Sequence, residues 1–179
     1  MEDILDEIIM QRVKEGDLRE MSVLFERYHI RLYNYFLRLT FKQDISQDLT
    51  QNLFYRMIKY KHTYKTDLSV KSWMYQMARN LHIDYCNQKQ KSEDLFINIE
   101  TYPVEVSDEA EGYREEDYER LEHAFKALPD RLREIIVLSR YHGLKYEEIS
   151  VITNQSVPAI KVAMHRAIKQ LRGVYFKQV

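Results

Sequence analysis

From Thr153 to Val179 the chain carries five Lys or Arg and no Asp or Glu. Lys161, His165, Lys169 and Arg172 fall at i, i+4, i+8 and i+11, with Arg166 beside them. On a helix that spacing places them along one side. Ile160, Met164, Ile168 and Leu171 form an apolar stripe on the opposite side, suited to burial. Cations along an exposed helix face neutralise phosphates and release counterions. A charged stripe alone is usually just a solvated face, and such faces mix signs to gain i,i+4 pairs. The absence of carboxylates therefore points to a polyanion. A short helical pattern, Glu147 to Thr153, precedes this helix, and Asn154-Gln155-Ser156 separates the two. That is the layout of a helix-turn-helix with a basic second helix. Its first turn sets Ser156, Ala159 and Lys161 within reach of base edges in a major groove. His165, Arg166 and Lys169 continue the DNA-facing side.

A second cluster lies at YKHTYKTDLSVKSWMYQMARN, residues 60–80. Tyr60, Tyr64, Trp73 and Tyr75 alternate with Lys61, Lys65, Lys71 and Arg79. Rings beside cations suit single-stranded DNA, whose bases stack while its backbone follows the charge. Trp73 sits on an apolar stripe and is expected in the core. The loop before it, with Lys61, His62, Tyr64 and Lys65, supplies the better stacking and backbone candidates. A third cluster, Asp48, Gln51 and Tyr55, lies away from the apolar stripe of its helix. It reads either as solvated surface or as a docking face for a partner.

Signals for catalysis are weak. There is no Gly-rich phosphate loop, no HExxH and no GxSxG. His82 and Asp84 are two residues apart and do not share a helix face, which argues against a metal pair. Glu147 and Glu148 read as first-turn charges that complement a helix dipole. The single Cys86 excludes an intrachain disulfide and a cysteine-based zinc cluster. No enzyme activity, cofactor or metal is expected.

The elements that must position these clusters are helical. The 179 residues include four Gly and three Pro, which suits helices with short connections. Asp17 is a plausible N-cap for a helix to about Leu39. A second helix runs from about Gln43 to Tyr60, with Ile45, Leu49, Leu53 and Met57 spaced by four. A third covers roughly Leu68 to Lys89. Amphipathic helices of this kind pack as a bundle. Beyond residue 117 one helix ends near Leu128. Another is expected from Asp130 to Tyr141, stopping at Gly143. The two helices of the helix-turn-helix follow, the last capped by Ser156 with Pro158 in its first turn.

Charge divides the chain into three blocks. Residues 1–91 balance at +3, residues 92–117 at −9 and residues 118–179 at +5, for a net charge of −1. The expected organisation is therefore two small helical domains, 1–91 and 118–179, joined by an acidic linker, 92–117. A polyanion binder looks neutral on average when a linker holds its negative charge. No apolar run approaches a membrane span, and MEDILDEI is unlike a signal peptide, so a cytoplasmic protein without membrane insertion is expected.

Together these motifs resemble the extracytoplasmic function (ECF) group of bacterial sigma factors, over nearly the whole chain. DLTQNLFYRMIK, residues 48–59, resembles the group's core-binding helix at Asp48, Leu49, Gln51 and Phe54. SWMYQMARNLHIDY, residues 72–85, matches its next motif at Trp73, Ala78, Arg79, Asn80 and Asp84. ALPDRLREIIVLSRYHGLKYEEIS, residues 127–150, resembles the start of its region 4, and IKVAMHRAIKQLR, residues 160–172, its recognition helix. Four motifs in the right order are far more specific than any one.

The resemblance implies an all-α, two-domain protein with a region 2 bundle and a region 4 helix-turn-helix. It implies binding to core RNA polymerase through Asp48, Gln51 and Phe54. Region 2 would capture the opened minus-ten element, with Lys61, His62, Tyr64, Lys65, Arg79, Asn80 and Asp84 as the assigned residues. Region 4 would read the minus-thirty-five element as duplex, using the residues named on the last helix. It also implies an anti-sigma factor as a partner.

Departures from the group's pattern fall at single positions. Lys145 stands where Ser or Thr often caps the next helix. Thr153-Asn154 replaces Leu-Gly in the turn, and Asn tolerates the left-handed conformation. Cys86 and Asn87 follow Tyr85 where Arg is common, and Ala163 replaces a frequent Arg. Two other readings stay open on sequence alone: a helix-turn-helix regulator acting without core polymerase, which leaves the 48–85 motifs unexplained, and a small helical enzyme.

Overall fold

A computed structural model describes residues 5–93 and 115–178. The described residues contain helices and no strands. They form two compact units, one holding residues 5–93 and the other most of residues 115–178. Residues 94–114 of the expected acidic linker lie outside the described residues. The flanking helices reach Glu93 on one side and begin at Glu115 on the other, inside the 92–117 block.

The first unit contains α1 (Asp6–Glu15), α2 (Met21–Thr40), α3 (Gln43–Lys59) and α4 (Val70–Glu93). Its core stripe on α2 includes Leu24, Tyr28, Leu32, Tyr35, Phe36 and Leu39, all buried. Leu49, Leu53 and Met57 of α3 and Trp73, Met74, Tyr75, Ala78 and Leu81 of α4 close the core. Each fully buried Leu or Met contributes roughly 1.5–3 kcal/mol relative to exposure. Tyr35 meets Tyr75 edge to face, with ring centroids 5.5 Å apart, an arrangement the ring quadrupoles favour.

Local chemistry sets the helix ends. Asp17 accepts the Arg19 backbone N–H at 3.3 Å and caps a 3₁₀ turn, Leu18–Glu20, that feeds α2. α2 ends at Phe41, which takes a left-handed conformation at φ 56° and donates its N–H to Leu37 O at 2.9 Å. The Thr40 hydroxyl accepts the Lys42 N–H at 3.2 Å, and Ser46 Oγ donates to Lys42 O at 2.6 Å. This polar corner turns the chain from α2 into α3. At the start of α4, Ser69 Oγ accepts the Ser72 N–H at 3.1 Å, satisfying one of the first-turn donors a helix leaves open.

The second unit contains α5 (Glu115–Lys126), α6 (Asp130–Ile136), the part of α7 (Tyr146–Thr153) up to Ser150, and α8 (Val157–Tyr175). Both α5 and α6 pack on α8. Arg133 is buried and serves the end of α5. It donates to Phe125 O at 3.2 Å, Lys126 O at 2.9 Å and Leu128 O at 2.8 Å. Those carbonyls belong to a helix terminus, where acceptors lack intrahelical partners. Asp130 lies 3.1 Å from the same guanidinium.

The helix expected over Asp130–Tyr141 is α-helical only to Ile136. Val137–Tyr141 widens into a π turn, with the His142 N–H reaching back to Val137 O at 3.1 Å. A single-turn π-bulge is the usual form of this geometry. Gly143, at φ 63°, then takes the sharp exit that a side chain would resist.

Candidate nucleic-acid interface

Helix α8 is held by its buried stripe, Ile160, Met164 and Ala167. Its N-terminus is set by Ser156, whose Oγ accepts the Ala159 N–H at 3.4 Å, with Pro158 in the first turn. The preceding break works as Asn154 allows. It is left-handed at φ 53°, ψ 44°, and its N–H bonds Ser150 O. Ser150 Oγ donates to Gln155 O at 2.5 Å, and Arg131 donates to Gln155 Oε1 at 2.6 Å. Lys145 has no acceptor for an N-cap. Glu148 compensates in part, its carboxylate accepting the Lys145 backbone N–H at 2.8 Å.

The result is an exposed face carrying Lys161, His165, Arg166, Lys169 and Arg172, with Ser156 exposed at its N-terminal end and Ala159 half-buried beside it. None of these Lys and Arg pairs with a described carboxylate. Val162, 51% exposed, adds an apolar contact to the same side. Such a face offers phosphate neutralisation along its length and short side chains in its first turn.

In the first unit, Arg56, Tyr60, Thr63, Trp73, Gln76, Met77 and Asn80 line a pocket of about 330 Å³. Small-molecule pockets span ~300–1,000 Å³, so this one suits a group the size of one nucleotide. The end of α3 gives Arg56 and Tyr60, a short 3₁₀ turn over Lys61–Thr63 gives Thr63, and one side of α4 gives the rest. Tyr60 is 44% exposed and offers a ring face. Gln76, Asn80 and Arg56 bring amide and guanidinium donors to a partly apolar wall. Arg56 is held 3.3 Å from Asp84.

The candidates assigned to this region divide. Asn80 lines the pocket, while Arg79 is half-buried on the same helix. Asp84 is exposed and lies beside the Arg56 guanidinium. His62 and Lys65 are exposed on the loop. Tyr64 requires correction: its ring is fully buried, its hydroxyl donates to Leu68 O at 3.0 Å, and it meets Trp73 edge to face at 5.4 Å. It cannot stack on a base while the loop is folded. Burial, the first cause, together with the nearby Glu7 and Asp67 carboxylates, pushes its phenol pKa up. Lys61 is half-buried, and its ammonium donates one bond to Val13 O at 3.1 Å. Trp73 is buried as expected yet also forms a pocket wall. Arg56, Gln76 and Met77 carry no local sequence signal, whereas Tyr60 stood within the aromatic run.

The third cluster lies together on the surface. Asp48, Gln51 and Tyr55 are exposed on α3, Tyr55 at 62%. Phe54, assigned to the same docking surface, is buried and packs on Phe25 with ring centroids 4.8 Å apart. The surface ring is instead Phe25, 42% exposed and stacked on His29. Phe54 supports that face from beneath. Among the described residues there is no group of His, Cys, Asp and Glu fit to hold a metal, and no helix is long and apolar enough to cross a membrane.

Known proteins share this arrangement. Residues 24–92 match the family model for Sigma-70 region 2, and residues 118–171 match Sigma-70, region 4. The chain is 29% identical to the ECF RNA polymerase sigma factor SigM of Bacillus subtilis over 167 residues, covering 87% of this chain and 95% of that one. It is 24% identical to the ECF RNA polymerase sigma-E factor of Escherichia coli, covering 93% and 92%. Among solved structures, CnrH in complex with the cytosolic domain of CnrY superposes with a TM-score of 0.74 at 18% identity, over 97% of this chain and 99% of that one. The sigma factor RpoE of Bartonella quintana, solved with the anti-sigma factor NepR, gives 0.72 at 20% identity, over 87% and 96%. The fold, the order of the two matched regions and the near full-length relatives agree, and the chain belongs to the ECF group of sigma factors.

Proposed function

We propose that this chain binds core RNA polymerase and directs it to promoters, reading duplex DNA with α8 and holding one unstacked base of the melted strand in the α3–α4 pocket. The observation that carries this reading is the pairing, in one chain, of a pocket sized for a single nucleotide with a carboxylate-free basic helix. Domain boundaries at 1–91 and 118–179 fit that division of labour.

Each part has a physical task. The cations of α8 supply affinity and register through phosphates, and the first-turn residues meet base edges. Extruding a base costs a few kcal/mol of stacking and pairing. Stacking on a ring returns ~1–3 kcal/mol per base, so Tyr60 and the pocket wall offset much of the cost. Gln76 and Asn80 offer hydrogen bonds to the base edge, and Arg56 a charge for its phosphate. Asp48 and Gln51, flanked by Phe25 and Tyr55, form the polymerase-docking face. The complex of RpoE, a similar fold, with the anti-sigma factor NepR supports an anti-sigma factor as a further partner. The role is a transcription factor's rather than an enzyme's, exercised in the cytoplasm where polymerase and DNA are found.

Transcription by core polymerase plus this protein on a pool of genomic fragments tests the reading and yields the promoter sequence. Initiation at discrete sites is expected only when both are present. Failure to associate with core polymerase would overturn it.

A further inference from the structure

We infer that α1, which precedes the segment matched to region 2, is a positioning element for the single-strand pocket and that Lys14 is its key residue; the inference rests on the pocket's proposed role. Two lysines cross between α1 and the loop in opposite directions. Lys14 of α1 donates to Tyr64 O at 2.9 Å, and Lys61 of the loop donates to Val13 O at 3.1 Å. Both bonds are part-buried. Val13 O also accepts the Gly16 N–H at 3.1 Å, so Lys61 joins the C-terminal end of α1, where a cation is favoured by the helix dipole. At the other end of α1, Glu7 Oε1 accepts the Val70 N–H at 3.3 Å, which ties the start of α4 to the same helix.

These bonds reach the pocket through its walls. Lys61 lies between Tyr60 and Thr63, both pocket residues. Tyr64, fixed by Lys14 at its carbonyl and by Leu68 at its hydroxyl, packs its ring on Trp73, another pocket residue. The α4 wall begins one turn beyond Val70. Thus α1 grips both sides of the cavity. It is itself anchored on α2, where Asp6 accepts from Arg27 at 2.6 Å and from the Tyr28 hydroxyl. A pocket must hold its groups within about 0.5 Å to discriminate, and a short polar loop does not do so unaided. The mobility of Tyr60 and Thr63 is therefore set from α1, by a side chain that touches no DNA.

The test uses the full chain in holoenzyme and short single-stranded DNA of random sequence, with bound molecules sequenced. Lys14→Met removes one bond and no loop cation; Lys14→Arg restores a donor. Lys14→Met is expected to weaken single-strand binding about tenfold, equivalent to about 1.4 kcal/mol, and to flatten base preference at the captured position. Lys14→Arg should recover most of both. Core polymerase binding and duplex binding by α8 should stay at wild-type levels. Lys61→Met serves as an independent variant, with the same loss of preference expected. Unchanged affinity and preference in Lys14→Met would overturn the inference while leaving the pocket's role intact. A wild-type holoenzyme that selects no single-stranded base would overturn the pocket's role itself. Equal losses in single-strand, duplex and core binding would mean simple destabilisation, and would also overturn it.

Discussion

Replacing Lys161 and Arg166 together by alanine should alter the salt dependence of duplex binding more tellingly than the affinity. Both side chains are exposed on α8, and neither pairs with a described carboxylate. Their charge is therefore available to phosphates without first breaking a bond. Each phosphate neutralised on duplex DNA adds about 0.9 to the slope of log affinity against log salt. Removing both cations should lower the slope by about 1.8. Over a fourfold rise in salt, that difference amounts to a factor of about 12. The variant should be much weaker than wild type at low salt and approach it at high salt. Fluorescence anisotropy of a labelled promoter duplex, titrated with holoenzyme across a fourfold range of KCl, measures both quantities. An unchanged slope would refute the reasoning, because these cations would then not neutralise phosphates, whatever happens to the affinity.

Three other outcomes are expected. Asp48→Ala with Gln51→Ala should weaken assembly with core polymerase by tenfold or more, since truncating a hot-spot residue of an interface costs about 2 kcal/mol or more. Wild-type competition for core would place the docking face elsewhere. Arg133→Met should destabilise the second unit by about 2–4 kcal/mol, because it strips a charged donor from three carbonyls at the end of α5. Denaturant unfolding followed by circular dichroism checks this, and a loss below about 1 kcal/mol would show that water replaces the guanidinium. The first unit should lose stability at alkaline pH. Burial raises the phenol pKa of Tyr28, helped by its bond to Asp6, and of Tyr75. The unfolded chain releases those protons near pH ~10. Their contribution is thus fully present below that value and is lost as pH rises through the folded-state values. Unfolding melts from pH 8 to 11, with tyrosinate absorbance recorded in parallel, would expose a flat profile if the phenols titrate freely.

The helices and the α8 face were legible because periodicity and local chemistry define them. Ser156, Asn154 and the stripe from Ile160 to Ala167 act within a few residues of themselves. Side-chain partners at long range were not legible. Tyr64 looked like an exposed loop ring, yet Trp73 covers it. Phe54 shared a motif with Asp48 and Gln51, yet lies one helical step toward Phe25 and is buried. The bond from Lys61 to Val13 O joins segments distant along the chain, which no local pattern announces. The task of Arg133, which donates to three carbonyls at the end of α5, appears only once α5 and α6 meet. The pocket was only half visible: Tyr60 and Asn80 stood in suggestive runs, whereas Arg56 and Gln76 acquire meaning only when α3 and α4 meet.

The two lysine bonds to α1 have a consequence for building hybrids. Both acceptors, Tyr64 O and Val13 O, are main-chain carbonyls, which every residue supplies. The link therefore demands only two donors, one on each segment, and is indifferent to the residues that carry the acceptors. A graft joined at residue 24, where the matched segment begins, would separate the donors and pair a foreign first helix with this loop. Lys61 travels with the graft, so placing a lysine at position 14 of the recipient is the smallest change that would keep a transplanted promoter preference intact.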